Sequence, residues 1–245
     1  MVTPLLRSHG SGDPVTLVVP GLGATEGEAR IPASGLAGTR VVLTLPGHLD
    51  APDPPADYWR FPRIAADVHA AAEAIGARQA IGVSLGAAAL STLVATDPTV
   101  FDRLVLMLPA ALTEPRPPRS VQLVTELGDA AEAGDRVTLR ALVAAAAPVG
   151  AGSYIDERTD ALLRLGPALR EVARALPVPD PAALRAVTAP VLIIAAESDP
   201  MHPAEVAHEA ASAFPNATLV VLPGSTPLVT ERVRLRALLR EFLDR

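Results

Sequence analysis

The amino-acid sequence predicts an α/β fold, with a mostly parallel, doubly wound sheet and one long helical insertion. Several short, continuous apolar runs are typical of strands buried on both faces of a parallel sheet. These runs alternate with helical patterns, as expected where helices cover both faces of such a sheet. Between about Thr113 and Thr188 the strand pattern stops and later resumes, which predicts the helical insertion.

The first part of the chain contains two predicted strands and a helix. Val15–Val19 is an apolar run that ends in a glycine-rich loop over residues 20–24. Residues 40–45 form a second apolar run. A Pro-Gly-His segment and then a proline-rich loop follow it. Residues 64–77 then have helical periodicity and a glycine stop signal.

The central motif lies between a predicted strand and a predicted helix. Gln79–Val83 is a short apolar strand, and Gly82, Ser84 and Gly86 form a Gly-x-Ser-x-Gly pattern before a helix of small residues. Such a pattern predicts a sharp, strained turn that exposes the serine hydroxyl above the sheet. Glycines are needed there because a Cβ would collide with the neighbouring strand or helix. The alternative is a Gly/Ala-rich core turn with an incidental serine.

The remaining elements follow the same alternation. Predicted strands over residues 102–108, 191–196 and 218–222 complete the sheet, with a helix over residues 203–213 between the last two. An amphipathic helix over residues 228–243 ends the chain.

With this strand–serine–helix context, the chain resembles the α/β-hydrolase family over nearly its whole length. The resemblance implies that Ser84 is a nucleophile. It also implies that residues 1–112 and 189–245 form the hydrolase core, and that residues 113–188 form a helical lid over the serine. A set of additional packing helices is the alternative for this insertion.

The resemblance also implies an oxyanion hole and an acid. The backbone N–H of Leu85 matches one oxyanion donor, and that of Leu22, which follows Pro20 and Gly21, matches the other. The family's acid matches Asp199, which follows the strand over residues 191–196. A turn formed by Asp-Pro is the alternative for that residue.

The base departs from the family pattern. The family places its histidine after the last strand, but no histidine occurs between Asn216 and Arg245. His48 matches a structural histidine of the family. His202 is the candidate substitute, because it follows Asp199 by three positions; helix entry is its alternative role. We expect that His202 does not contact Ser84, that the triad is degenerate, and that generic ester hydrolysis is slow.

The expected pocket is mainly aliphatic, since aromatic residues make up only 3% of the chain. Leu22, Leu85, Met107 and Met201, with insertion residues around Tyr154, are expected to line it. An aliphatic acyl or polyketide-like ligand fits such a wall better than an aromatic one does.

Composition excludes some classes of partner. The net charge is −6 and all 21 basic residues are scattered arginines, so neither nucleic acid nor an anionic membrane is expected as a partner. No cysteine, leader-like pattern or membrane-spanning stretch is present, which favours a cytoplasmic protein without thiol chemistry. No cofactor and no metal is implied, and the oligomeric state is not predicted.

Three functions are compatible with these observations. The first is an enzyme that acts on an ester or thioester of a small aliphatic molecule through Ser84. The second is a cyclase, lyase or dehydratase that uses the same pocket without an acyl-enzyme. The third is a ligand-binding protein without catalysis. Because function depends on the site and not on the fold, the fold cannot decide among them.

Overall fold

A seven-stranded sheet forms the centre of the computed structural model, which describes residues 5–148 and 150–244. The strand order is β1-β3-β2-β4-β5-β6-β7, and every neighbouring pair is parallel except β1 with β3. The strands are β1 (Leu5–Gly10), β2 (Val15–Val19), β3 (Thr39–Thr44), β4 (Gln79–Val83), β5 (Arg103–Met107), β6 (Val191–Ala196) and β7 (Ala217–Leu222).

Helices cover both faces of the sheet. They are α1 (Glu26–Arg30), α2 (Phe61–Ile75), α3 (Leu85–Thr96), α4 (Pro118–Glu132), α5 (Arg136–Ala146), α6 (Tyr154–Arg164), α7 (Gly166–Arg174), α8 (Ala204–Ala213), α9 (Pro227–Thr230) and α10 (Arg232–Leu243), with a 3₁₀ helix over Pro181–Ala186. The predicted doubly wound α/β fold is therefore confirmed. None of the helices in the described ranges is long and apolar enough to cross a membrane.

Side-chain alternation along β4 shows how the two faces are built. Ala80 belongs to the larger core, which contains α2 and α3, whereas Ile81 packs with α10 on the other face. Both side chains are fully buried. The central strand is therefore covered on both sides, which explains why its sequence is continuously apolar and does not alternate.

The edge strand β1 was not predicted from the sequence. It pairs antiparallel with β3 and its residues alternate between exposed and half-buried, with Arg7 and His9 on the less exposed side. A strand with polar residues on its more buried positions lacks the apolar run used to find the other six.

The predicted last helix is interrupted, because Glu231 separates α9 from α10.

Between β5 and β6 the described residues contain helices α4 to α7 and the 3₁₀ helix, joined by loops, and no strand. Helices α4 to α7 share a small core of their own. Leu165 and Val172 also join the main core, and Thr92 of α3 donates a hydrogen bond to the Pro177 carbonyl at 2.8 Å. The segment is thus packed on the sheet domain, and its role as a lid stays a prediction.

Candidate active site

Ser84 occupies the turn between β4 and α3 in a strained backbone conformation. Its φ of 51° and ψ of −106° are rare for a residue with a side chain. The Ser84 N–H donates to the carbonyl of Met107 at 2.9 Å, which holds the turn against β5. The predicted strained strand-to-helix turn is confirmed.

The two glycines of the motif are required by close backbone packing. A Cβ on Gly82 would lie 2.5 Å from the Gly86 carbonyl at the start of α3. A Cβ on Gly86 would lie 1.9 Å from the carbonyl oxygen of Val19 in β2. Helix α3 can approach the sheet this closely only because both positions lack a side chain, and this approach positions the serine.

A histidine contacts the serine, so the expectation that His202 does not reach Ser84 was wrong. His202 Nε2 lies 2.8 Å from Ser84 Oγ, and His202 Nδ1 lies 2.7 Å from Asp199 Oδ2. An ionised carboxylate can only accept, so Nδ1 carries the proton toward Asp199 and Nε2 is free to accept from the serine hydroxyl. Asp199, His202 and Ser84 thereby form one continuous hydrogen-bonded chain.

The turn at Asp199 explains how two residues so near in sequence reach this geometry. Asp199 Oδ1 accepts the backbone N–H of Met201 at 2.8 Å and that of His202 at 3.3 Å. This side-chain-to-backbone turn folds the chain back over its own carboxylate. The second oxygen, Oδ2, remains for the imidazole ring. One carboxylate therefore both builds the loop and orients the histidine.

Asp199 remains ionised in this partly enclosed position. Burial by itself would raise its pKa, but hydrogen bonds from the His202 ring and two backbone N–H groups outweigh burial, so the net pKa is lowered. The side chains of His202 and Asp199 are only 14% and 13% exposed. A charged carboxylate next to a neutral imidazole is the arrangement that stabilises an imidazolium formed during proton transfer.

The loop after β2 lies against the serine turn. A Cβ on Gly21 would be 3.6 Å from both Ser84 Cβ and the Val83 carbonyl. His48 fixes this loop, since its Nε2 accepts the Gly23 N–H at 2.8 Å. The N–H of Leu85 opens α3 and so has no partner within that helix.

A cavity of about 140 Å³ opens onto Ser84 and His202. Three of the predicted lining residues, Leu22, Leu85 and Met201, lie on its wall. The insertion contributes five apolar side chains, which are Val124, Leu127, Leu162, Leu169 and Val172.

Two predicted lining residues are not among those that line the cavity. The Met107 side chain is fully buried in the core on the α10 face, because side chains on a strand alternate between faces. The Tyr154 hydroxyl donates to Glu28 Oε1 at 3.0 Å. Glu28 lines the cavity, so Tyr154 contacts the wall of the cavity through that carboxylate.

Three charged residues of the cavity wall were not predicted from the sequence, namely Glu28, Arg116 and Arg158. Arg158 Nη1 lies 3.5 Å from Glu28 Oε2, which makes an ion pair between α6 and α1. Both residues lie in ordinary helical patterns, so only the packing of the insertion on the sheet domain reveals them.

Comparison with known proteins identifies the family. The model of the alpha/beta hydrolase family matches residues 16–234, nearly the whole chain. The chain belongs to the α/β-hydrolase family. None of the curated proteins is similar enough in sequence to count as a match.

Solved structures agree with this fold. The α/β-hydrolase MGS-M2 from a Medee basin deep-sea metagenome library superposes with a TM-score of 0.80 at 16% identity, covering 99% of this chain and 94% of its own. An esterase from Exiguobacterium antarcticum gives 0.80 at 15% identity, with 100% and 98% coverage. The hydrolase olei00960 from Oleispira antarctica gives 0.79 at 17% identity, with 99% and 95% coverage. At such identities the likeness shows the fold of this α/β-hydrolase and not its substrate.

His48 should make the stability of this α/β-hydrolase depend on pH. Burial lowers the pKa of His48 from 6.5 to about 4. Between these values the unfolded chain binds a proton that the folded protein does not, so stability falls as pH falls from 6.5 to 4. The full effect is about 3 kcal/mol, at 1.36 kcal/mol per pKa unit. Urea unfolding of the wild type and His48→Gln at pH 7 and pH 4.5 measures it.

His48→Gln should lose most of this pH dependence of stability. The control His208→Gln should keep it, because His208 is exposed. The lowered pKa of Asp199 acts in a lower window, since its contribution is lost only as pH falls below about 4. An equal pH dependence in wild type and His48→Gln would contradict the assignment to His48.

Proposed function

We propose that this α/β-hydrolase cleaves esters or thioesters of small aliphatic acyl groups, with Ser84 as nucleophile, His202 as base and Asp199 as the group that orients the base. The observation that carries the proposal is the hydrogen-bonded chain from Asp199 through His202 to Ser84 Oγ, which opens onto a cavity. A serine hydroxyl is a weak nucleophile, and an imidazole within about 3.2 Å is what activates it.

In the proposed acylation step, Ser84 Oγ attacks the acyl carbon while His202 Nε2 takes the hydroxyl proton. The carbonyl oxygen becomes an oxyanion, for which the N–H groups of Leu22 and Leu85 are the proposed donors. His202 then returns the proton to the leaving alkoxide or thiolate as its bond to carbon breaks. Asp199 stabilises the imidazolium throughout without taking its proton.

In the proposed deacylation step, water replaces the serine as nucleophile. His202 removes one proton from the water as its oxygen bonds to the acyl carbon, and a second oxyanion forms. The bond to Ser84 Oγ then breaks, and His202 returns the proton to that oxygen. The products are the free acid and the regenerated enzyme.

The size and lining of the cavity support a short acyl chain. Its volume of about 140 Å³ is below the roughly 300–1,000 Å³ of pockets that bind drug-sized ligands. Most of its wall is aliphatic, from leucine, valine and methionine side chains. A polyketide-like chain would have to extend out of this cavity, so short esters are the favoured substrates.

The contact between His202 and Ser84 favours hydrolysis over the two other functions. A cyclase, lyase or dehydratase that uses the pocket without an acyl-enzyme, or a binding protein, does not need this serine to be activated as a nucleophile. We therefore propose an intact triad in which the histidine comes from a different loop than in the family.

Covalent labelling tests whether the serine is activated. A fluorophosphonate should modify Ser84, because the activated oxygen displaces fluoride at phosphorus, and peptide mass spectrometry locates the adduct. Ser84→Ala should not be labelled, while Ser91→Ala should be, because the Ser91 hydroxyl is buried and bonded to the Ala87 carbonyl. Absence of an adduct on wild-type Ser84 under conditions that label a known serine esterase would contradict the proposal.

A further inference from the structure

Among the residues that the structure describes, one cationic side chain of the candidate active-site cavity has no anionic partner. Arg116 lines the same cavity as Ser84 and His202. Its Nε is buried, and within the described part of the chain the Nε–H donates a hydrogen bond to no group. Its Nη1 lies 3.5 Å from Ser120 Oγ, at the limit of a hydrogen bond. In the ranges 5–148 and 150–244 no carboxylate lies within ion-pair distance of this guanidinium.

The other charges on the cavity wall are compensated. Glu28 faces Arg158 at 3.5 Å and also accepts from the Thr25 N–H and the Tyr154 hydroxyl. The negative charge of Glu28 is therefore balanced by the positive charge of Arg158. Arg116 is therefore the charge that remains uncompensated in the cavity.

Holding Arg116 in this place is costly. Burial lowers its pKa to about 10, so the group is still charged at neutral pH but has lost much of its hydration. A buried charge without a partner is among the least favourable arrangements in a protein. Buried polar groups without a hydrogen bond are also rare enough in folded proteins to call for an explanation.

The backbone around Arg116 is constrained. Pro115 and Pro117 flank it and Pro118 opens α4, so three neighbouring residues have a fixed φ. Ser120, the third residue of α4, is fully buried and donates to the Met201 carbonyl at 2.8 Å. This bond ties the Arg116 segment to the loop that carries Asp199 and His202.

We propose that Arg116 binds a carboxylate on the acyl group of the substrate, which makes this enzyme selective for monoesters of short dicarboxylic acids. A guanidinium offers its N–H donors in a planar fork that matches a carboxylate with two parallel bonds. The small cavity limits the acyl chain that joins the scissile carbonyl to that carboxylate. The inference rests on the proposed function and adds to it the substrate class.

A matched pair of substrates tests the selectivity. The p-nitrophenyl monoester of glutaric acid and p-nitrophenyl valerate differ mainly in a terminal carboxylate against a methyl group. Replacing Arg116 by methionine should lower the ratio of kcat/KM for the glutarate ester over the valerate ester about 10- to 100-fold, as expected for a hydrogen bond to a charged group. Arg119→Met, at an exposed arginine nearby, should leave that ratio as in wild type. An unchanged ratio in Arg116→Met would overturn the inference.

A binding measurement separates failure of this inference from failure of the proposed function. Titration calorimetry of glutarate into Ser84→Ala requires no turnover. Binding that is lost in Ser84→Ala/Arg116→Met supports the inference even where neither ester is hydrolysed, and in that case only the proposed function fails. Brisk hydrolysis of valerate with no glutarate binding leaves the proposed function standing and overturns the inference.

A second variant protects the test against misfolding. Removal of an unpaired buried charge should not destabilise the protein, so Arg116→Met should melt at or above the wild-type temperature. Arg116→Gln provides an independent neutral substitution that retains hydrogen-bond donors. Both variants should lower the substrate ratio, and a folded Arg116→Gln with the wild-type ratio would also overturn the inference.

Discussion

Replacing His202 by alanine is expected to lower kcat for p-nitrophenyl butyrate hydrolysis by about 10⁴- to 10⁶-fold, the range found when one member of a catalytic triad is removed. The reason is that His202 Nε2, 2.8 Å from Ser84 Oγ, is the proposed acceptor of the serine proton. Ser84→Ala should cost about as much. The double variant should be no slower than either single variant, because both belong to one unit.

Two control variants define the specificity of that effect. His208→Ala changes an exposed histidine on α8 and should leave kcat within about twofold of wild type, as surface substitutions usually have small effects. Ser225→Ala tests the loop after β7, where the family's histidine was expected, and should also be close to wild type. Rapid turnover that persists in His202→Ala would remove His202 as the base.

Gly86→Ala is expected to cause the largest loss of stability. The added Cβ would lie 1.9 Å from the carbonyl oxygen of Val19, a backbone atom of a central strand that cannot move aside. Relief requires α3 to shift away from β2, which would open a core that is otherwise fully packed. We expect the free energy of unfolding, measured by urea titration, to fall by more than about 3 kcal/mol.

Gly27→Ala is the matched control for this substitution. Gly27 lies in α1, and a Cβ there would meet only Thr25 Oγ1 at 3.8 Å. Alanine has the higher helix propensity, so this variant should be as stable as wild type or slightly more stable. A Gly86→Ala protein that unfolds at the wild-type urea concentration would show that β2 and α3 are not this close.

The sheet could be predicted from the sequence wherever strands are buried on both faces. Val15–Val19 and Val191–Ala196 are continuous apolar runs because helices cover them on both sides. The serine turn could also be predicted, since only Gly82 and Gly86 permit that approach. Strand β1 could not, because an edge strand with polar positions has no apolar run, and its pairing with β3 depends on tertiary structure.

The candidate site was only partly predictable. Ser84 and Asp199 follow from motif position, but the contact of His202 depends on how Asp199 Oδ1 turns its own loop. Sequence spacing alone does not distinguish that turn from ordinary entry into α8. Met107 is predicted to line the pocket, although its side chain is buried in the core on the α10 face. Arg116 lies in a proline-rich stretch with no periodic signal.

The position of the proposed acid and base on one loop has a consequence for how the protein tolerates substitutions. Where an acid and a base come from two separate strand ends, their alignment depends on the packing of both strands. Here both side chains lie on one loop, and the hydrogen bonds of a single carboxylate align them. Substitutions in α10 should therefore change thermal stability while the alignment of the proposed triad persists in the folded fraction. The segment after β7 supplies none of the three side chains of that triad, although its Leu228 lines the cavity.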